Sequence, residues 1–183
     1  MDPQEPGHGE DSQEADVDEP QEADVDEPQE HSNRIRVAAF FTADHVDAVG
    51  GKLYANGGFF NRLRFPAYPA IAPILGIGVS LIVPWHAYQQ DHHFVVTMHD
   101  EDRRELPLRI EGSFRVGADL LIRHGDPSVI NLAGNVTNVV FERPGHYYLV
   151  LGVNGDRLAR WGLQVIQLPA AFTSGAMITL PHQ

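Results

Sequence analysis

Cysteine is missing altogether from the 183 residues, which removes disulfides, thiolate metal sites and cysteine nucleophiles together. Lysine is nearly missing, with a single Lys52 against twelve arginines, a bias that points to a GC-rich bacterial genome. Uninterrupted apolar runs are scarce as well. The longest candidate, residues 67–85, is broken by Pro69, Pro73 and Pro84 and does not read as a membrane-spanning helix. The start, MDPQEPGHGED, lacks the basic and apolar stretches of a signal peptide, so a cytoplasmic protein with no membrane partner is expected. No window of a dozen residues carries convincing helical periodicity; residues 44–49 are at most one helical turn.

What the chain does have is a sharp partition of charge. The net charge of −12 comes almost wholly from residues 1–33, which hold 13 acids and no Lys or Arg, whereas the remainder is nearly neutral. Within that leader QEADVDEP occurs twice without change, at 13–20 and 21–28. Its only apolar groups are Ala and Val. They cannot offset an ordering cost of about 1–2 kcal/mol per residue. A disordered acidic tail is expected, serving solubility or docking on a basic partner.

From Arg34 onward short apolar runs are separated by Gly, Pro, Asn and Asp. Strands are predicted at 35–43, 52–60, 75–83, 93–99, 106–110, 131–142, 146–153 and 158–168. Asn154-Gly155 is the strongest turn signal, because both central positions of a tight hairpin need positive φ. About eight strands at turn-delimited spacing indicate an all-β fold, an antiparallel β-sandwich of Ig-like or jelly-roll-like type. The division expected is a tail over 1–33, the sandwich over 34–170 and a C-terminal extension over 171–183.

The turn GGKLY at 50–54 and the hairpin PGHYYLVLGVNGDRLAR at 144–160 carry a family resemblance. With the segments around them, from Arg34 to Leu168, the chain resembles a family of uncharacterised bacterial proteins, common in actinobacteria, known as a domain of unknown function. The resemblance implies a compact β-sandwich. It brings no activity and no site residues.

Candidate chemistry is sparse. Ten histidines invite a metal, and His86, His92, His93 and His99 with Asp91 and Asp100 form the densest group. His93 and His99 share a strand face but stand roughly 20 Å apart at about 3.3 Å per residue, too far for one ion. His86, His92 and His93 with Asp91 are the remaining metal or hydrolytic candidate. Ser80 lacks the glycines of a nucleophile elbow, and Ser113 and Ser128 lack an activating context. Gly76-Ile77-Gly78 lacks the third glycine and helix of a dinucleotide loop. Arg62 and Arg64 beside Phe60 and Phe65, with Arg103 and Arg104, are the only basic patch, too little for a nucleic-acid partner behind an acidic leader. Asn135-Val136-Thr137 matches a glycosylation acceptor but is incidental in a cytoplasmic chain. Phe59, Phe60, Phe65, Tyr68, Trp85 and Tyr88 either plug the sandwich ends or form a partner surface.

The expectation is therefore a non-enzymatic binding or protein-interaction module with an unidentified protein partner. No catalytic, cofactor or metal residues are assigned to it. The alternative is a metal-binding or hydrolytic sandwich using His86, His92 and His93. Oligomeric state is left open.

Overall fold

The computed structural model describes residues 34–117 and 123–169, so the expectations for 1–33 and 171–183 fall outside the described residues. Ten strands follow in order: β1 (Arg36–Ala43), β2 (His45–Val49), β3 (Lys52–Asn56), β4 (Arg62–Phe65), β5 (Ala70–Val83), β6 (Asp91–His99), β7 (Glu105–Arg115), β8 (Ser128–Phe141), β9 (Gly145–Val153) and β10 (Asp156–Gln167). A single 3-10 turn, Trp85–Ala87, is the one helical element among the described residues.

The strands form a sheet β1-β5-β8, a facing sheet β4-β10-β9-β6-β7, and a separate hairpin β2-β3. This strand order is that of an immunoglobulin-like sandwich, in which long crossover connections of Greek-key type bring sequence-distant strands such as β5 and β8 together. All pairings are antiparallel except β4 with β10, where Arg62–Phe65 runs parallel to Gln164–Gln167. The core lies between the sheets: Leu75, Ile77, Val79 and Leu81 of β5 meet Val96, Met98, Leu149, Leu151, Leu163 and Val165. Alternation puts these residues inward at every second position.

The Asn154-Gly155 turn forms as the sequence predicts, with φ of 53° and 89°. Tyr147 then fixes the opposite end of β9. Its hydroxyl donates to the Arg143 carbonyl at 2.7 Å, four residues back, in the arrangement known as a tyrosine corner.

Two elements differ from the sequence reading. Residues 45–49 form a strand, β2, and not a helical turn. Val46 is fully buried there, and its backbone N–H and C=O pair with the Asn135 side chain at 3.0 and 2.8 Å. The hairpin can lie this low because Gly76 carries no side chain; a Cβ would stand 2.9 Å from the Ala43 carbonyl oxygen. The second difference is β4, which the sequence hides among Asn61, Pro66 and Pro69. It is only four residues long and is held by pairing with β10.

Candidate functional site

The four sheet edges are not equally guarded. β7 carries Glu105, Pro107, Arg109, Glu111 and Arg115 along its length, and proline and charge discourage strand addition. β4 is short, and β1 is interrupted by a register shift between Val37 and Ala39. β8 is different: its 14 residues include no charged residue and no proline. Its one irregularity is Asn138, in the left-handed region at φ 56°, where Pro73 on β5 has no partner and the register passes from Thr137↔Ile74 to Val139↔Ala72.

Because five strands face three, β7 has no described strand opposite it in the smaller sheet. The inward side chains flanking this seam are only half-buried: Leu106, Ile110 and Phe114 on β7, and Ile130, Leu132 and Val136 on β8. At one end the seam opens into a cleft of about 580 Å³. Met98, Leu108, Val139 and Tyr147 line its apolar part, and Asp100, Asp102, Arg104, Glu142 and Arg143 reach its rim. The rim charges are largely committed. Arg143 spans Glu101 at 3.3 Å and Asp102 at 3.2 Å, while Asp100 accepts from the Asp102 and Arg104 N–H groups. Burial pushes the Tyr147 phenol above its ordinary range, and its hydroxyl donates to the Arg143 carbonyl. What remains available is an apolar slot beside an uncharged strand edge, with the Arg104 and Glu142 side chains making no ion pair among the described residues at its rim.

The histidine candidates are distributed differently. His92 points inward and is 3% exposed, packed against Phe114 at 5.2 Å between ring centroids. Its Nε2–H donates to the Ala87 carbonyl at 2.8 Å, leaving Nδ1 to accept from the Asn154 amide at 3.0 Å. His93, next along the strand, faces the opposite way and is exposed; its backbone N–H donates to Asn154 Oδ1 at 3.0 Å. His86 is exposed on the 3-10 turn. The structure therefore uses His92 to fasten the Asn154 turn. Among the described residues no three His, Asp or Glu side chains gather as a metal-binding group. Asp91 is engaged by Arg115 through two bonds of 2.7 Å.

Most of the aromatic group closes the sandwich ends. Phe65 packs on Phe141 and Tyr68 at one end, and Trp85 packs on Tyr88 at the other. Phe59 is the exception, 63% exposed and stacked on Phe41 at 4.1 Å. Arg62 and Arg64 project outward from β4, alternating with inward Leu63 and Phe65. Ser80 sits mid-strand opposite Asn131. The seam itself escaped sequence reading. Its strand was predicted, over 131–142, but the place of that strand at an edge was not.

No helix among the described residues is long and apolar enough to cross a membrane. No curated protein matches the chain. Among solved structures, a Pseudomonas fluorescens alkylpurine DNA glycosylase AlkC bound to DNA aligns at 9% identity and TM-score 0.39, over 72% of this chain and 30% of that one. A Listeria innocua β-glucosidase with isofagomine aligns at 9% identity and TM-score 0.36, over 73% of this chain and 16% of that one. The chain thus spans under a third of either, and neither likeness bears on function. A family model described as a family of unknown function, DUF6941, matches residues 38–166, covering both sheets and the hairpin. The chain belongs to the DUF6941 family of unknown function.

Proposed function

We propose that this domain is a protein-interaction module that accepts an extended strand from a partner along the free edge of β8. The observation that carries the reading is the 14-residue edge, unguarded among the described residues, standing beside a half-buried apolar seam. An added strand would widen the three-stranded sheet to four. Its inward side chains would cover Leu106, Ile110 and Val136, and its backbone would satisfy the outward N–H and C=O groups of β8. Three inward apolar residues at about 1.5–3 kcal/mol each give a gross gain of roughly 5–9 kcal/mol, most of it offset by ordering the peptide. Micromolar affinity is the natural range for such an exchange. The lack of cysteine and the arginine-rich composition favour a bacterial cytoplasmic setting.

The test is selection of binders from a random peptide library, followed by amide and methyl shift mapping on the full chain. Binders with apolar residues at alternate positions, perturbing Ile130–Val140 and Leu106–Ile110, support strand addition. Binders that map elsewhere, or none at all, remove the reading.

A further inference from the structure

The near-neutral body is electrically polarised. Around β7 and its turn most acids and bases are matched: Asp91 with Arg115, Glu105 and Glu111 with Arg109, Glu101 and Asp102 with Arg143, leaving Arg103 and Arg104 without an ion pair among the described residues but beside the acids of the same turn. On the outer face of β4, β10 and β9 they are not. Arg62 and Arg64 lie in register with Gln164 and Ile166, on the face opposite the buried Leu163 and Val165. Arg160 shares that face, its guanidinium 4.1 Å from the centroid of the Tyr148 ring. Arg157, paired with Gly152, extends the row toward the start of β10. Among the described residues none of these four arginines makes an ion pair, and His146 is the titratable neighbour opposite Gln164.

A complementary charge is tethered nearby. Arg36 pairs with Ile82 at the end of β5 that leads to the start of β6, the same end at which Val153 turns into Asp156. Residues 1–33, with their 13 acids, therefore join the body at the Arg157 end of the row. The two QEADVDEP copies lie 6 to 21 residues before Arg34. By general chain statistics, segments of those lengths span roughly 13–25 Å. The row from Arg157 to Gln164 is about 23 Å long at about 3.3 Å per residue. Reach and charge agree.

We propose that the outer face of β4, β10 and β9 is a docking surface for acidic peptide, and that its resident occupant is the chain's own residues 13–28. Carboxylates spaced along the repeat meet guanidinium groups spaced along a strand, with Tyr148 holding Arg160 flat against the sheet. The docking is electrostatic, exchangeable and weakened by salt. It makes the surface selective: a competing acidic partner must displace a tethered segment present at high local concentration. This surface lies across the sandwich from the β8 seam and does not depend on the strand-acceptor reading.

The absence of native cysteine makes the test direct. A nitroxide is attached to the full chain through Gln21→Cys, and broadening of backbone amide signals is mapped at low salt. Broadening of Arg62–Phe65, Arg160–Gln164 and His146–Tyr148 is expected. It should vanish in about 1 M salt, where the Debye length falls to about 3 Å. It should vanish also when the eight acids of residues 13–28 become Asn and Gln, a change outside the described residues. Broadening that persists in salt, that falls on β7 and β8, or that is confined to the first residues of β1 overturns the proposal. So does broadening seen only when spin-labelled and isotope-labelled copies are mixed, which would put the contact between molecules.

Discussion

Replacing Tyr147 by Phe removes one hydroxyl and leaves the ring in place against Phe141, 5.0 Å away between centroids. The lost bond is the 2.7 Å donation to Arg143. A net intramolecular hydrogen bond contributes about 0.5–1.5 kcal/mol, and an acceptor left buried and unmade costs about 1–3 kcal/mol. Residues 142–144 are exposed, so water can reach the orphaned carbonyl and the lower part of that range applies. The expected loss is about 1–2 kcal/mol, or roughly 3–6 °C in Tm for a domain of about 150 residues. Urea unfolding of wild type, Tyr147→Phe and Tyr147→Ala measures it, the last expected to lose about 3–5 kcal/mol by vacating the core. The phenol also sets an alkaline limit. Its folded pKa lies above the ordinary value of 10.0, chiefly through burial. Above that value the unfolded chain releases a proton that the folded chain retains, so stability present at neutral pH falls as pH rises. Tyr147→Phe should lose less stability there than wild type. A Phe variant as stable as wild type at pH 7, with the same alkaline decline, would refute the account of the corner.

Other perturbations probe other links. Gly78→Ala would set a Cβ 2.5 Å from the Phe41 ring, and a loss of about 1–3 kcal/mol is expected with displacement of Phe41 and Phe59, read from unfolding and aromatic spectra. Leu151→Ala, at a fully buried site, should cost about 2–5 kcal/mol by the same denaturant assay. Zinc titration should leave the His92 ring signals unmoved, because both nitrogens are already bonded; a stoichiometric shift of His86, His92 and His93 together would revive a three-histidine site. Ile71→Lys and Val140→Lys, on exposed outer positions of β5 and β8, should change stability by about 0.5 kcal/mol or less, and a larger loss in unfolding would show that the face is covered.

The alternation of apolar residues and the turn residues made the sandwich legible. Gly145–Val153 and Asp156–Gln167 were readable as a hairpin because Asn154-Gly155 satisfies a local conformational demand. β2 and β4 were not legible, since each is a strand only through distant partners: Asn135 for Val46, and β10 for Arg62–Phe65. The same limit hid the seam. That β8 lies at an edge follows from which strands pair, a property of the whole fold. His92 shows the opposite failure. The sequence offered it only as part of a metal or hydrolytic candidate, yet its register places it inward, where two fixed acceptor and donor partners give it a structural task.

The pairing order has a consequence during synthesis. β5, the most apolar strand, meets β1 as soon as both leave the ribosome, but its other neighbour β8 ends at Phe141, almost sixty residues later. At about 5–20 residues per second that is a wait of roughly 3–12 s. β4 waits longer still, since its parallel partner closes the described chain at Gln167. Throughout that interval the edge of β5 that pairs with β8 stays open, and the core it faces still lacks Leu149, Leu151, Leu163 and Val165. The nascent chain is thus most adhesive when it is about half made, and crowded translation is the circumstance in which this fold would most need a chaperone.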